Sequence, residues 1–134
     1  MNGKRKVLIA STFKTQRKES FFLRDMGNRE VIEQIREKLR EKKYRLSLHS
    51  QKRMDKRRIL FSEVEYVIST GKIIESYPDD KPFPSYLILG DTYQKKPLYV
   101  LCALGEDMVH IITVHWMDPK KWLDPETRRE RRYE

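Results

Sequence analysis

The hydrophobic period of this chain changes once, at Lys72, and no other feature restricts the fold as much. Upstream of it, Val31, Ile32, Ile35 and Leu39 recur at helical spacing within a segment from Arg29 to Lys43. Asn28 precedes that segment. Glu30 in its first turn and Lys42 and Lys43 in its last complement the helix dipole. The apolar stripe is narrow, which predicts a helix lying against one side of a sheet. Ser62 and Glu65 have the spacing of a capping box, Phe61 and Tyr66 that of a hydrophobic staple, and Gly71 follows as the C′ residue, predicting a helix over 63–70. Downstream of Lys72 the pattern is that of strands. Ile73–Tyr77 ends at Pro78-Asp79-Asp80 and the Pro82-Phe83-Pro84 region, and Tyr86–Leu89 is an inner strand closed by Gly90-Asp91. Leu98–Leu104 and Val109–Trp116 form a hairpin around Gly105-Glu106-Asp107. Asp118-Pro119 stops the last strand, and Trp122 is expected to fold back onto the core. Helices followed by a meander give an α+β plan, with N-terminal helices packed on an antiparallel, curved sheet.

The chain has 134 residues, which suits one domain with a modest core. That domain is expected over 29–122. Residues 1–28 read as a basic arm, in which only Val7-Leu8-Ile9 and Phe21-Phe22-Leu23 look able to dock, and residues 123–134 as a charged tail able to form a short helix. No apolar run approaches a membrane span, and Val7–Ala10 is too short for a signal-peptide core, so a cytoplasmic location is expected. Cys102 is the single cysteine, which excludes an intramolecular disulfide; with three histidines it offers no metal cluster. No cofactor is expected.

The net charge of +9 is concentrated. Residues 42–58 carry eight Lys/Arg against one acid, whereas residues 59–119 carry four against nine. Such asymmetry predicts a surface facing a polyanion, and nucleic acid in particular, because no stretch pairs a basic face with a strongly apolar one as membrane binding requires. Within the basic segment, a helix near 48–57 with Ser47 as N-cap places His49, Arg53 and Arg57 at i, i+4 and i+8 on one face. Met54, with Leu46 and Ile59, would anchor it to a core. An imidazole followed by two permanent cations can grip a phosphate and move a proton beside it. Spacing alone does not separate this from a solvated basic face. Lys42, Lys43, Arg45, Lys52, Lys56 and Arg58 supply the surrounding positive charge. In the last strand Thr113 and His115 share a face, and like-parity pairing would add Tyr99. Together they form either a polar floor or a set of solvent-side strand residues.

His49…Arg53-Met54…Arg57…Ile59, then Gly71-Lys72-Ile73-Ile74-Glu75, Pro84-Ser85…Leu87…Leu89-Gly90, Pro97-Leu98 and Thr113-Val114…Asp118…Trp122 resemble, in that order, the family called domain of unknown function 4258. The resemblance covers roughly Ser47 to Trp122. Members are small prokaryotic proteins regarded as similar to RelE-like toxins and the wider barnase–colicin–RelE class of ribonucleases. The resemblance therefore implies a RelE/barnase-like fold and a metal-independent endoribonuclease or a relative of one. Its implied partners are RNA, free or ribosome-bound, and a small zinc-finger antitoxin of the kind encoded beside some members. His49, Arg53 and Arg57 match the family's helix motif, Ser85 its Pro-Ser pair and Thr113 its Thr-Val. Three departures stand out. Arg58 occupies a position where the family often has Gly, Tyr99 one where it often has His, and His115 one where it often has Tyr.

Two classes of function fit. In an RNA-cleaving toxin, His49 or His115 would serve as base or acid, Arg53 and Arg57 would clamp the phosphate, and Tyr99 and Thr113 would donate to phosphate oxygens or stack a base. In a non-catalytic nucleic-acid-binding or partner-binding module, the same basic surface would bind without turnover.

Overall fold

The computed structural model describes residues 16–129, with side chains from Gly27 onward. Its contacts divide the chain into two units, Met1–Val31 and Ile32–Glu134. The first helix, α1, spans Gln16–Arg40. It begins well before Asn28, so residues 16–28, read from sequence as an arm, are helical; residues 1–15 and the docking side chains of Phe21-Phe22-Leu23 lie outside the description. Ile32, Ile35 and Leu39 are buried, as the narrow stripe predicts. Lys42, at φ 62°, turns the chain out of the helix, so Lys42 and Lys43 follow α1 rather than ending it, and Lys38 and Arg40 occupy its last turn.

The second unit places α2 (Leu48–Arg57) and α3 (Phe61–Thr70) with a five-stranded sheet. The strands are β1 (Tyr44–Leu46), β2 (Lys72–Tyr77), β3 (Ser85–Asp91), β4 (Pro97–Leu104) and β5 (Val109–Trp116), in the order β1-β5-β4-β3-β2. From β2 to β5 the sheet is the expected antiparallel meander. The short β1, absent from the sequence reading, pairs parallel with β5, so the sheet is mixed and the architecture remains α+β. Ile88, Val100, Val114, Leu98 and Cys102 are buried along the sheet, Ile35, Met54, Val64, Val67 and Ile68 on the helices, and Ile59 between α2 and α3. Burial pushes the Cys102 thiol up to about 12, leaving it a packed apolar group.

Helix ends explain the positions of the elements. Ser47 caps α2, its hydroxyl accepting the Ser50 amide at 3.0 Å. At the other end Arg58 adopts the left-handed conformation, φ 58° and ψ 47°, a geometry that glycine adopts at no steric cost. That accounts for the glycine common at this position in the resemblance. The cap of α3 lies earlier than its sequence suggests. Leu60 is the N-cap residue and Glu63 Oε1 accepts its amide at 2.9 Å, so Ser62 falls inside the first turn. Phe61 and Tyr66 do not staple to each other: Phe61 stacks on Tyr44 and Tyr66 on Tyr93. Gly71 ends α3 in an extended conformation. Its value is space, because an added Cβ would stand 2.4 Å from the Leu89 carbonyl oxygen and 2.6 Å from that of Val67.

Beyond β5 the chain forms a second, two-stranded ribbon, β6 (Trp122–Asp124) and β7 (Thr127–Arg128), where the sequence suggested a short helix. Trp122 is buried as expected and stacks on Tyr99, with ring centroids 4.4 Å apart. Arg128 stands over the other side of this cluster, 4.5 Å from the Trp122 ring, and forms two hydrogen bonds to the Glu75 carboxylate at 2.9 and 3.0 Å. Residues 130–134 lie outside the description.

Candidate nucleic-acid interface on helix α2

Helix α2 runs along β5, fixed at both ends by contacts to that strand's carbonyls. Near its start Ser50, 1% exposed, directs its hydroxyl to the carbonyls of Ile111 (3.0 Å) and Ile112 (2.7 Å). Ile112 is the extra residue where β4 and β5 shift register, between the Leu101–Thr113 and Cys102–Ile111 pairs. The single proton of this buried hydroxyl is thereby directed at the backbone carbonyls beside the bulge, the shorter contact being to Ile112. At its end the Arg57 guanidinium donates to the Val114 carbonyl at 2.7 Å, and the Trp116 indole donates back to the Arg57 carbonyl at 2.9 Å. Met54 supplies the apolar anchor between these ties. The sequence reading did not single out Ser50 or Trp116. Ser50 could have been found from its spacing, since Ser50 and Met54 stand at i and i+4 and so share the inward face of the helix.

With the inward face so committed, the outward face carries charge. His49, Lys52, Arg53, Lys56 and Arg57 line a groove of about 450 Å³. His49, Lys52, Arg53 and Lys56 are exposed and Arg57 is half-buried. Burial first, and then the neighbouring Arg53, lower the Arg57 guanidinium from its usual value, although an arginine keeps its charge in proteins. The arrangement is an open cationic trough containing one imidazole.

The remaining sequence candidates are distributed elsewhere. Tyr99 and His115 are directly opposite on β4 and β5, as like-parity pairing predicts, and their rings stack at 5.2 Å. They do not form an open polar floor. Tyr99 is fully buried, its hydroxyl donates to the Pro125 carbonyl at 2.7 Å, and burial chiefly pushes its pKa up to about 12, so it is unavailable to a phosphate or a base. His115 is lowered to about 4, mainly by desolvation and then by Arg57, Lys121 and Arg128, with Asp118 opposing. A ring with that value is mostly neutral near neutral pH and its remaining N–H is a weak acid, so His115 is a poorer general acid than an ordinary histidine. Thr113 is half-buried opposite Leu101. Ser85 is buried and donates to Asp80; it pairs with Ala103, at the far end of β4 from Tyr99. Lys42, Lys43 and Arg45 are exposed near the start of β5, where the Val109 amide donates to the Lys43 carbonyl, and Arg58 is exposed at the exit of α2. None of these four lines the groove.

Residues 46–116 match the family described as Domain of unknown function (DUF4258). The chain belongs to this family. The matched segment contains all of α2, the whole groove, and β2 to β5, so the groove is part of the DUF4258 domain while the β6–β7 ribbon follows it. No curated protein and no solved structure matches the chain. Among the described residues no three His, Cys, Asp or Glu side chains could jointly hold a metal ion, and no helix is long and apolar enough to cross a membrane.

The low His115 value has a consequence for stability. Between pH 6.5 and about 4 the unfolded chain takes up a proton at this ring that the folded protein does not bind. Stability from this source is therefore full above 6.5 and lost as pH falls toward 4, by up to about 3 kcal/mol. Urea denaturation at about pH 7 and about pH 4.5 should show a smaller loss for His115→Gln than for the wild type. Equal losses would contradict the account of this ring.

Proposed function

We propose that this protein is a metal-independent endoribonuclease of the RelE-like toxin type, taking RNA along α2 in the cytoplasm. One observation carries the reading: the cationic groove holds a single proton-exchanging side chain, His49, among Lys52, Arg53, Lys56 and Arg57. In the proposed reaction His49 removes the proton of a ribose 2′-hydroxyl, and that oxygen attacks the adjacent phosphorus. Arg53 and Arg57 offset the charge that develops on the phosphorane. The P–O5′ bond then breaks, and the departing 5′ oxygen takes a proton from the imidazolium of His49 or from water. The products are a 2′,3′-cyclic phosphate and a 5′-hydroxyl. A toxin of this kind would be held in check by an antitoxin protein covering the same basic surface.

A second reading, a binding module without turnover, draws support from the burial of Tyr99 and the neutrality of His115. These leave the groove without a second acid–base side chain. End-group analysis of a short RNA incubated with the protein in EDTA, free and on ribosomes, separates the two. Cleavage products ending in a 2′,3′-cyclic phosphate support the nuclease. RNA that is bound but left intact in both settings supports the binding module.

A further inference from the structure

We propose that Trp116 is a base-stacking platform at the end of this groove, with Lys96 as the cation that covers it until nucleic acid binds. The proposal rests on the groove being a nucleic-acid site and adds what the lining lacks, an aromatic surface. Single-stranded nucleic acids are held by a cationic track for the phosphates together with aromatic rings for the bases. The five groove residues supply the first and no ring other than the imidazole. Trp116 is the last residue of β5, and its indole nitrogen donates to the carbonyl of Arg57, which ends the groove lining. The ring is half-buried, and the ammonium of exposed Lys96 stands over it, 4.3 Å from the centroid. A π-face that attracts a cation also accepts a base. Displaced from the ring, the Lys96 ammonium would meet the phosphate of the stacked nucleotide. Other rings are committed elsewhere: Tyr99 and Trp122 are buried against each other, Tyr44 stacks on Phe61 and Tyr66 on Tyr93. Tyr93, 69% exposed, serves as the control.

The test compares binding of the full chain to a short oligoadenylate and to an abasic ribose-phosphate strand of equal length. The wild type should bind the oligoadenylate about ten- to a hundredfold more tightly, as expected for base–aromatic stacking. Oligoadenylate should quench its indole fluorescence and the abasic strand should not; Trp122, 1% exposed, contributes a constant background. Trp116→Ala should bind both strands with the affinity of the abasic one. Trp116→Phe loses the indole N–H but keeps a ring, so it should retain most of the preference, which separates stacking from anchoring of Arg57. Lys96→Ala should lower the salt slope by about 0.7, and Tyr93→Ala should change nothing. Retention of the base preference by Trp116→Ala, or absence of quenching in the wild type, would overturn the proposal. Should Trp116→Ala not fold, the wild-type quenching and Trp116→Phe decide. Equal binding of the two strands by the wild type removes the platform and leaves the groove; binding of neither removes both.

Discussion

His49→Ala is expected to slow RNA cleavage by about 10²–10⁴-fold while leaving RNA affinity nearly unchanged. Four permanent or nearly permanent cations line the groove with it, and these set affinity. Among the groove side chains only the imidazole readily exchanges a proton near neutral pH. The ring is exposed at the first turn of α2, so removing it leaves no cavity, and stability should change by no more than about 0.5 kcal/mol. The measurement is single-turnover cleavage of a labelled RNA, with affinity taken from the same protein samples. Cleavage at the wild-type rate would remove His49 from the chemistry. A parallel loss of affinity and rate would make it a binding residue.

Trp122→Ala should destabilise the fold by about 3–5 kcal/mol, the range for deleting a buried large aromatic side chain. A typical domain has about 5–15 kcal/mol in total, so much of the stability would be lost. Trp122 is 1% exposed and belongs to a cluster with Leu87, Leu89 and Tyr99, against which Ile74, Leu101 and Met117 also pack. It lies between the Arg128 guanidinium and Tyr99 in a stack that continues to His115. Alanine would open a void under the β6–β7 ribbon and expose the face of Tyr99, whose hydroxyl is tied to Pro125. Trp122→Phe keeps part of the stack and should cost markedly less. Urea denaturation followed by far-ultraviolet circular dichroism gives both values, and a loss below about 1 kcal/mol for the alanine variant would refute this account of the ribbon.

What was legible in the sequence was what local pattern encodes. The bounds of α2 follow from Ser47 at one end and from Met54 and Ile59 as inward anchors. The Tyr99–His115 pairing was expected only if the hairpin paired residues of like parity. Pairs near the turn such as Leu104–Val109 have opposite parity, and the bulge between Leu101 and Cys102 shifts the register so that Tyr99 meets His115. The features not legible depend on distant partners. β1 has three residues between two helices and exists because it pairs with Val109–Ile111, far along the chain. The ribbon after Asp118 has strands of three and two residues with charged composition, and it is held by the Arg128–Glu75 ion pair and the Trp122 stack. The same ribbon buries Tyr99, so a residue that alternation placed on an open face became part of the core. α1 was expected to begin at Arg29, after Asn28, yet the helix begins at Gln16 and continues through Asn28. In the candidate site, the basic face of α2 was readable from i, i+4 spacing. The tie from Trp116 to the end of α2 was not, since it joins residues 59 apart in sequence.

The central claim is that the outward face of α2 is the RNA-binding surface, and salt dependence tests it most directly. Arg53 and Lys56 are the appropriate pair to change, because both are exposed, whereas Arg57 also holds α2 to Val114. Affinity for a short single-stranded RNA should be measured across a salt titration for the wild type and for Arg53→Ala combined with Lys56→Ala. Each phosphate contact contributes about 0.7 to the slope of log affinity against log salt for a single strand. The double variant should therefore bind more weakly at low salt and show a slope shallower by about 1.4. Superimposable lines for the two proteins would place the RNA elsewhere on the molecule and contradict the account.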